Sequence, residues 1–379
     1  MEEKLSDLDK TIGGAIRKAR KRLDWTQAEL AEKADFGSEQ IVSLIELGER
    51  PLKASELARL SRVLFCDFAA LLEDKPLIQT AVLWRKEPEK AKEVEAQFLQ
   101  DCEHYHLVEE LCGATPRNKI GELPAHLPAD LEEAQSYGDK ISNALGLGKR
   151  PAEELRVVLE EDFGLKLFHE PKLEGSAASA VGEFGQAVLL NSSEPPWRQN
   201  YSLAHELFHL LTWSLAPVSE LAKNNDLKVQ VEKSAEAFAS VLLLPAGEIL
   251  TAWNSRAKDN KINYADVIDL ARIFGVSTSA LIWRMVNLKW LKKAEAERVL
   301  NDESFRAKDR ATMAEKWSAP PPRFPSRFVY LAFRAWSEGN LSKGNLAGFL
   351  HKNLAELPGL LAEYGLNEDE NYETTLAVG

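Results

Sequence analysis

At 379 residues the chain exceeds the size at which a single hydrophobic core stops growing, about 250–300 residues, so two or more domains are expected. Hydrophobic residues at 45% and charged residues at 28% are ordinary for a globular protein, and they exclude collagen, a mucin-like stalk and wholesale disorder. Acidic groups outnumber basic ones 59 to 47, a net charge of −12, which excludes a wholly basic nucleic-acid coat protein but leaves room for a local basic face. The longest apolar stretch, around Ala237 to Gly247, is too short to span a bilayer. Met1-Glu2-Glu3-Lys4 leads into mixed charge, unlike a signal peptide, and three cysteines do not make a disulfide framework. A cytoplasmic protein without a membrane partner is expected.

The first region, residues 1–74, reads as short amphipathic helices ending in Phe68-Ala69-Ala70-Leu71-Leu72. Ile12, Ile16, Ala19 and Leu23 share one helical face. Residues 10–22 hold six basic and no acidic side chains, a phosphate-binding face that includes Arg17 and Arg20. Thr26-Gln27-Ala28-Glu29 is a capping box at a helix start. Leu30, Ala31 and Ala34 follow at helical spacing, Gly37 marks a turn, and Ser38 is placed to cap the next helix, which carries Ile41, Val42 and Ile45 inward. This is helix-turn-helix grammar. The segment resembles the Xre/Cro family from Ile16-Arg17 through Thr26-Gln27, Leu30-Ala31, Ile45-Glu46 and Gly48 to Leu57 and Leu60, although the turn between Ala34 and Ser38 is one residue longer than usual. Gln27 falls in the matched Thr-Gln pair and joins the DNA-facing set. With Ser38 as cap, Glu39, Gln40 and Ser43 are the outward candidates for base edges, and glutamine can pair bidentately with adenine. The region as a whole carries 12 Lys or Arg against 15 Asp or Glu, so a head devoted to protein association is the competing reading.

Residues 75–115 read as a charged helical stretch rich in Lys and Glu. Cys102-Glu103-His104-Tyr105-His106 with Cys112 invites a metal site. At helical spacing, however, Phe98, Cys102, Tyr105 and Cys112 follow a buried stripe while His104 points elsewhere, so buried small hydrophobes are the better account. Lone His169 and His351 read as structural.

The most informative segment is Tyr201-Ser202-Leu203-Ala204-His205-Glu206-Leu207-Phe208-His209-Leu210-Leu211. Histidines four apart on a helix share a face, so His205 and His209 can reach one metal ion, with Glu206 beside that face to hold a water. Leu203, Leu207 and Leu210 form a separate stripe that buries the helix. Five residues of this pattern arise by chance in about one chain in a hundred of this length. A second helix makes the pattern specific: Glu232 and Glu236, four apart among apolar residues, supply a third ligand and a carboxylate that supports a ligand imidazole.

These residues resemble the ImmA/IrrE metallo-endopeptidases. Their first motif matches Tyr201, Leu203-Ala204-His205-Glu206 and His209-Leu210-Leu211, and their second matches Glu232, Ala235, Phe238-Ala239, Leu242-Leu243 and Pro245. Val188-Leu189-Leu190-Asn191 resembles the preceding strand, and Phe274-Gly275-Val276-Ser277 with Leu281-Ile282-Trp283-Arg284-Met285 the closing helical unit. The position of Glu236 is commonly Asn or Asp in the family, which leaves open which glutamate ligates. Three prolines, Pro320-Pro321-Pro322, then precede a last helical segment similar to the appendage of long Xre–ImmA/IrrE fusions.

The fold class expected is mainly α with a small β-sheet: a helix-turn-helix domain at 1–74, a helical connector at 75–124, a zincin-like (gluzincin) metallopeptidase domain at 125–295 and a helical appendage at 296–379. One zinc per protomer is expected on His205, His209 and Glu232, with Glu206 as general base and Glu236 behind the ligands. The resemblance implies a DNA-binding regulator that cleaves a partner repressor or antitoxin at few sites. The alternative is a non-enzymatic antitoxin or autorepressor that binds DNA and a toxin through a structural or vestigial zinc site. Operator DNA, a protein substrate or toxin, and a second copy of the chain are the partners anticipated.

Overall fold

The computed structural model describes residues 2–66, 71–72, 80–89, 91–114, 116, 119–257, 262–316 and 320–367. Phe68-Ala69-Ala70 and the expected boundary at residue 74 lie outside them. The chain divides into two compact units, Met1–Ala81 with Pro88–His104, and Val82–Glu87 with Tyr105–Gly379. Residues 296–379 thus group with the expected metallopeptidase domain, and the expected connector is shared between the units.

In the first unit, α1 (Glu2–Arg22), α2 (Gln27–Lys33), α3 (Glu39–Glu46) and α4 (Ala54–Val63) surround a core containing Ile12, Ile16, Ala19, Leu23, Val42 and Ile45, with Ile41 half-buried at its margin. Thr26 and Glu29 form the capping box: the Thr26 hydroxyl accepts from Glu29 N–H, and the Glu29 carboxylate accepts from Thr26 N–H at 2.6 Å. The left-handed residue of the α2–α3 turn is Asp35 (φ 52°), not Gly37. Ser38 sits at the N-cap of α3, but its side chain accepts no capping bond, contrary to expectation. Gly13 lets α1 lie against the end of α3, since a Cβ there would stand 2.3 Å from Ile45 O.

The second unit is built on a four-stranded sheet of order β1-β3-β4-β2, with β1 (Val82–Trp84), β2 (Lys166–Glu170), β3 (Ala177–Gly182) and β4 (Gly185–Asn191). β3 and β4 form a tight hairpin, β2 runs parallel to β4, and β1 lies antiparallel on the outer edge of β3. The 75–115 stretch, expected to be helical, therefore contains a strand before α5 (Ala91–Leu111). Three residues have no stability as a strand by themselves; pairing with β3, nearly a hundred residues downstream, decides their conformation.

Of helices α6 (Leu131–Ala144), α7 (Pro151–Val157), α8 (Pro196–Thr212), α9 (Val218–Leu221) and α10 (Asn225–Leu243), α8 packs on β3 and β4, α7 and α10 pack on α8, and α6 and α9 pack on α10. α8 is buried over nearly its whole length because Leu203, Leu207 and Leu210 enter the core while the chemistry-bearing residues also face inward. The rings of Tyr137, Phe208 and Phe238 meet where α6, α8 and α10 converge, at centroid distances of 5.4–6.3 Å. Beyond them follow α11 (Ala246–Asn254), α12 (Tyr264–Ile273), α13 (Thr278–Asn287), α14 (Lys293–Asn301), α15 (Glu303–Lys316), α16 (Ser326–Ser337), α17 (Lys343–Phe349) and α18 (Leu357–Glu363). A buried charge cluster ties α5, β2 and α16 together. Glu109 accepts from Lys166 Nζ at 2.5 Å and from Arg327, whose guanidinium also reaches Tyr105 and Ala114 O. No single described helix is long and apolar enough to cross a membrane.

Candidate metal centre and nucleic-acid interface

α8 places His205 and His209 one turn apart, and α10 crosses it so that Glu232 meets both. His205 Nε2 and His209 Nε2 are 3.1 Å apart, and the Glu232 oxygens lie 3.3 Å and 3.5 Å from them. Among the described residues these three form the cluster able to hold a metal ion, with one donor atom from each residue within 4.8 Å of the others; His169, His351 and the Cys102–His106 segment are not part of it. His104 is buried rather than turned outward. Burial holds both ligand imidazoles at about pH 3, far below their usual titration, so their ring lone pairs are available to a cation. Two imidazole nitrogens and one carboxylate make an N/O donor set suited to a divalent metal ion.

Glu236, one turn beyond Glu232, has its Oε1 3.7 Å from His205 Nδ1, the nitrogen turned away from the cluster. It also pairs with Arg85, which follows β1. The Tyr201 hydroxyl donates to Glu236 O at 3.0 Å, so it is already engaged.

Glu206 is fully buried. Its Oε2 accepts a hydrogen bond from the Ser179 hydroxyl at 2.8 Å, while Oε1 has no partner among the described residues. Burial pushes its carboxyl up to about 8, against the Ser179 hydrogen bond, with the Glu232 charge adding to the rise. Sequence reading missed Ser179 and Arg85. The sole polar residue of Ala177-Ala178-Ser179-Ala180 was the available signal for the first; nothing local marks the second. A cavity of about 720 Å³ opens beside Arg85 and Glu236, walled by Trp197, Tyr201 and Trp283.

In the head, Glu39 and Gln40 are exposed on the first turn of α3, Ser43 and Ser38 are half-buried, and Arg17 is exposed on α1. Arg20 does not stand on the basic face where it was expected. It is 8% exposed, and its Nε and Nη2 donate to the buried Glu46 at 2.6 Å and 3.0 Å while Nη1 donates to Trp25 O. Gln27 also donates to Glu46, at 2.8 Å. Glu46 thereby fastens α1 and α2 to the end of α3, and the guanidinium of Arg20 is consumed inside the head.

Residues 160–285 match the IrrE N-terminal-like domain of the Peptidase_M78 family, a span that contains all three clustered ligands and Glu206. Residues 16–71 match a helix-turn-helix family. A comparison with curated proteins gives no match. Among solved structures the chain is similar to a Mycobacterium tuberculosis transcriptional regulator, with 16% identity, 48% of this chain and 51% of that one covered, and a TM-score of 0.30. It is also similar to the apo form of the competence regulator ComR from Streptococcus vestibularis, with 12% identity, 95% and 100% covered, and a TM-score of 0.17. The chain matches about half the length of the first of these. The chain thus carries, in this order, a segment that matches a helix-turn-helix family and one that matches the IrrE N-terminal-like domain of the Peptidase_M78 family, the arrangement of a helix-turn-helix–ImmA/IrrE fusion.

Proposed function

We propose that the second unit is a zinc-dependent endopeptidase of narrow specificity, and that the whole chain is a cytoplasmic DNA-binding regulator acting on a partner repressor or antitoxin. The observation that carries this reading is the state of Glu206. A metal site serving structure alone has no use for a buried carboxylate beside its ligands, fixed through one oxygen by Ser179 and left open at the other.

His205, His209 and Glu232 would hold the metal. Bound there, zinc would polarise a scissile carbonyl and lower the pKa of a water molecule toward neutrality. Glu206 does the proton work: its Oε1, left without a partner among the described residues, takes a proton from the attacking water and then delivers it to the departing amide nitrogen. Ser179 keeps Oε2 from rotating away. Glu236 stands 3.7 Å from Nδ1 of His205, on the side from which outer carboxylates orient ligand histidines.

The test is zinc content and cleavage in the same preparation. After chelator stripping and zinc titration, about one zinc per chain is expected. Glu206→Gln should keep that zinc and lose cleavage of any repressor or antitoxin that the parent chain cuts. No zinc uptake by the parent chain, or equal cleavage by Glu206→Gln, overturns the reading.

A further inference from the structure

Resting on the endopeptidase reading, we propose that residues 82–86 of the chain itself block the edge of β3 along which an extended segment of the protein substrate would lie, and must leave it before cleavage. His205 and Glu206 are fully buried and His209 is nearly so; of the four groups only Glu232 is partly open, its side chain 29% exposed. A peptide carbonyl cannot reach Glu206 in this arrangement, so some element must leave before substrate enters.

The geometry singles out β1. Leu83 pairs directly with Ser179, the residue that fixes Glu206, and paired residues of an antiparallel ladder turn to the same face. Arg85 N–H donates to Ala177 O at 3.3 Å, and its guanidinium pairs with Glu236 beside His205 Nδ1. Lys86 then passes flat over Gly175, where a Cβ would stand 2.5 Å from Lys86 O. One short strand thus touches the support of the base and the carboxylate behind the first ligand. It is also a brief excursion: Val82–Glu87 groups with the second unit, whereas the residues on both sides group with the first.

A main-chain ladder along a sheet edge recognises extended polypeptide and nothing smaller. The resident strand states what that polypeptide should carry. An apolar residue takes the place of Leu83, which is buried, and a basic residue two positions later meets Glu236 as Arg85 does. The cavity beside Arg85, with Trp197 and Trp283 in its wall, leaves room for the segment to continue.

The experiment uses the full zinc-loaded chain in the Glu206→Gln background, which cannot turn over its ligand, and a fluorescent peptide with the sequence of residues 80–88. Adding Leu83→Asp with Arg85→Glu to the protein should release the strand. Anisotropy should then show at least tenfold tighter peptide binding, and amides 177 and 179, which face β1, should lose hydrogen-exchange protection and regain it with peptide, while 178 and 180, which face β4, stay protected. A peptide with Glu in place of its arginine should bind at least tenfold more weakly. Retained protection of α8 establishes that the released protein is folded, and the milder Arg85→Gln should give a smaller gain in the same direction. A folded, released protein that binds the peptide no better than its parent overturns the proposal, as does binding indifferent to the arginine. Peptide binding without cleavage in the Glu206-intact chain would remove the endopeptidase reading and leave the docking surface standing. Cleavage by the parent at the rate of the released variant would do the reverse.

Discussion

Replacing Glu46 should cost the head more than any surface change of charge. Its carboxylate is almost fully buried and takes two bonds from Arg20 and one from Gln27, with Arg17 Nε at 4.0 Å on its outer side. In Glu46→Ala the Arg20 guanidinium keeps only Trp25 O, at 2.6 Å, and two of its donor groups are stranded in a 10% exposed side chain. Breaking a buried pair by removing one partner costs about 3–5 kcal/mol, and that is the loss expected here. α1 cannot slide to relieve it, because Gly13 already lies against Ile45 O. Glu46→Gln keeps the volume and one acceptor and should lose about 1–3 kcal/mol. The double replacement Glu46→Met with Arg20→Met removes both charges and should recover most of the loss. Hydrogen exchange on the full chain reads this locally: in Glu46→Ala, amides of residues 12–23 and 39–46 should exchange about 10²–10⁴ times faster, at tenfold per 1.4 kcal/mol, while those of α8 are unchanged. Acceleration below tenfold, or a double variant no better protected than Glu46→Ala, would refute the role of this carboxylate.

At the metal centre, Glu232→Ala should abolish zinc binding, whereas Glu236→Ala should weaken it about 10–100-fold in chelator competition; the opposite order would exchange their roles. Arg17→Ala should weaken binding to the upstream promoter and to random DNA alike and lower the salt slope by about one, whereas Gln40→Ala should cost about 1–3 kcal/mol on the promoter only. Equal effects of Gln40→Ala on both DNAs would take that side chain away from the bases. His169 is buried and held at about pH 3 by burial, with Arg156 adding to the depression. Its lowered pKa means that the unfolded chain takes up a proton first as pH falls. The stability it lends is complete above about 6.5 and is lost at up to ~1.4 kcal/mol per pH unit between about 6.5 and 3. Denaturant titrations of His169→Phe should therefore show a shallower loss over that window than the parent, and identical slopes would contradict the assignment.

What the sequence disclosed of the centre was what lies within one helical turn. His205, Glu206 and His209 are read by their spacing, and Glu232 with Glu236 by theirs, because a helix converts sequence distance into a shared face. Ser179 and Arg85 escaped because their partners lie 27 and 151 residues away, and only the sheet brings them together. The strand at Val82–Trp84 escaped for the same reason: in a Lys- and Glu-rich stretch the local preference is helical, and pairing with β3 overrides it. In the head, the hydrophobic spacing placed the helices correctly, but a run of basic residues on one helix does not tell which of them turns inward. Arg20 does, toward Glu46, and its neighbour Arg17 does not.

The cluster of Glu109, Lys166 and Arg327 bears on how the second unit is made as well as how it stands. Lys166 emerges from the ribosome 57 residues after Glu109 and can pair with it early, but the second oxygen of Glu109 waits for Arg327 on α16. Until then the nascent chain carries a half-satisfied carboxylate in a low-dielectric setting, with the aromatic face of Tyr105 uncovered where Phe328 will later stack at 5.0 Å. A gene cut at residue 295, where the family resemblance ends, would freeze the protein at that stage. Such a fragment should collect in inclusion bodies, since its last helices are the closing course of the core.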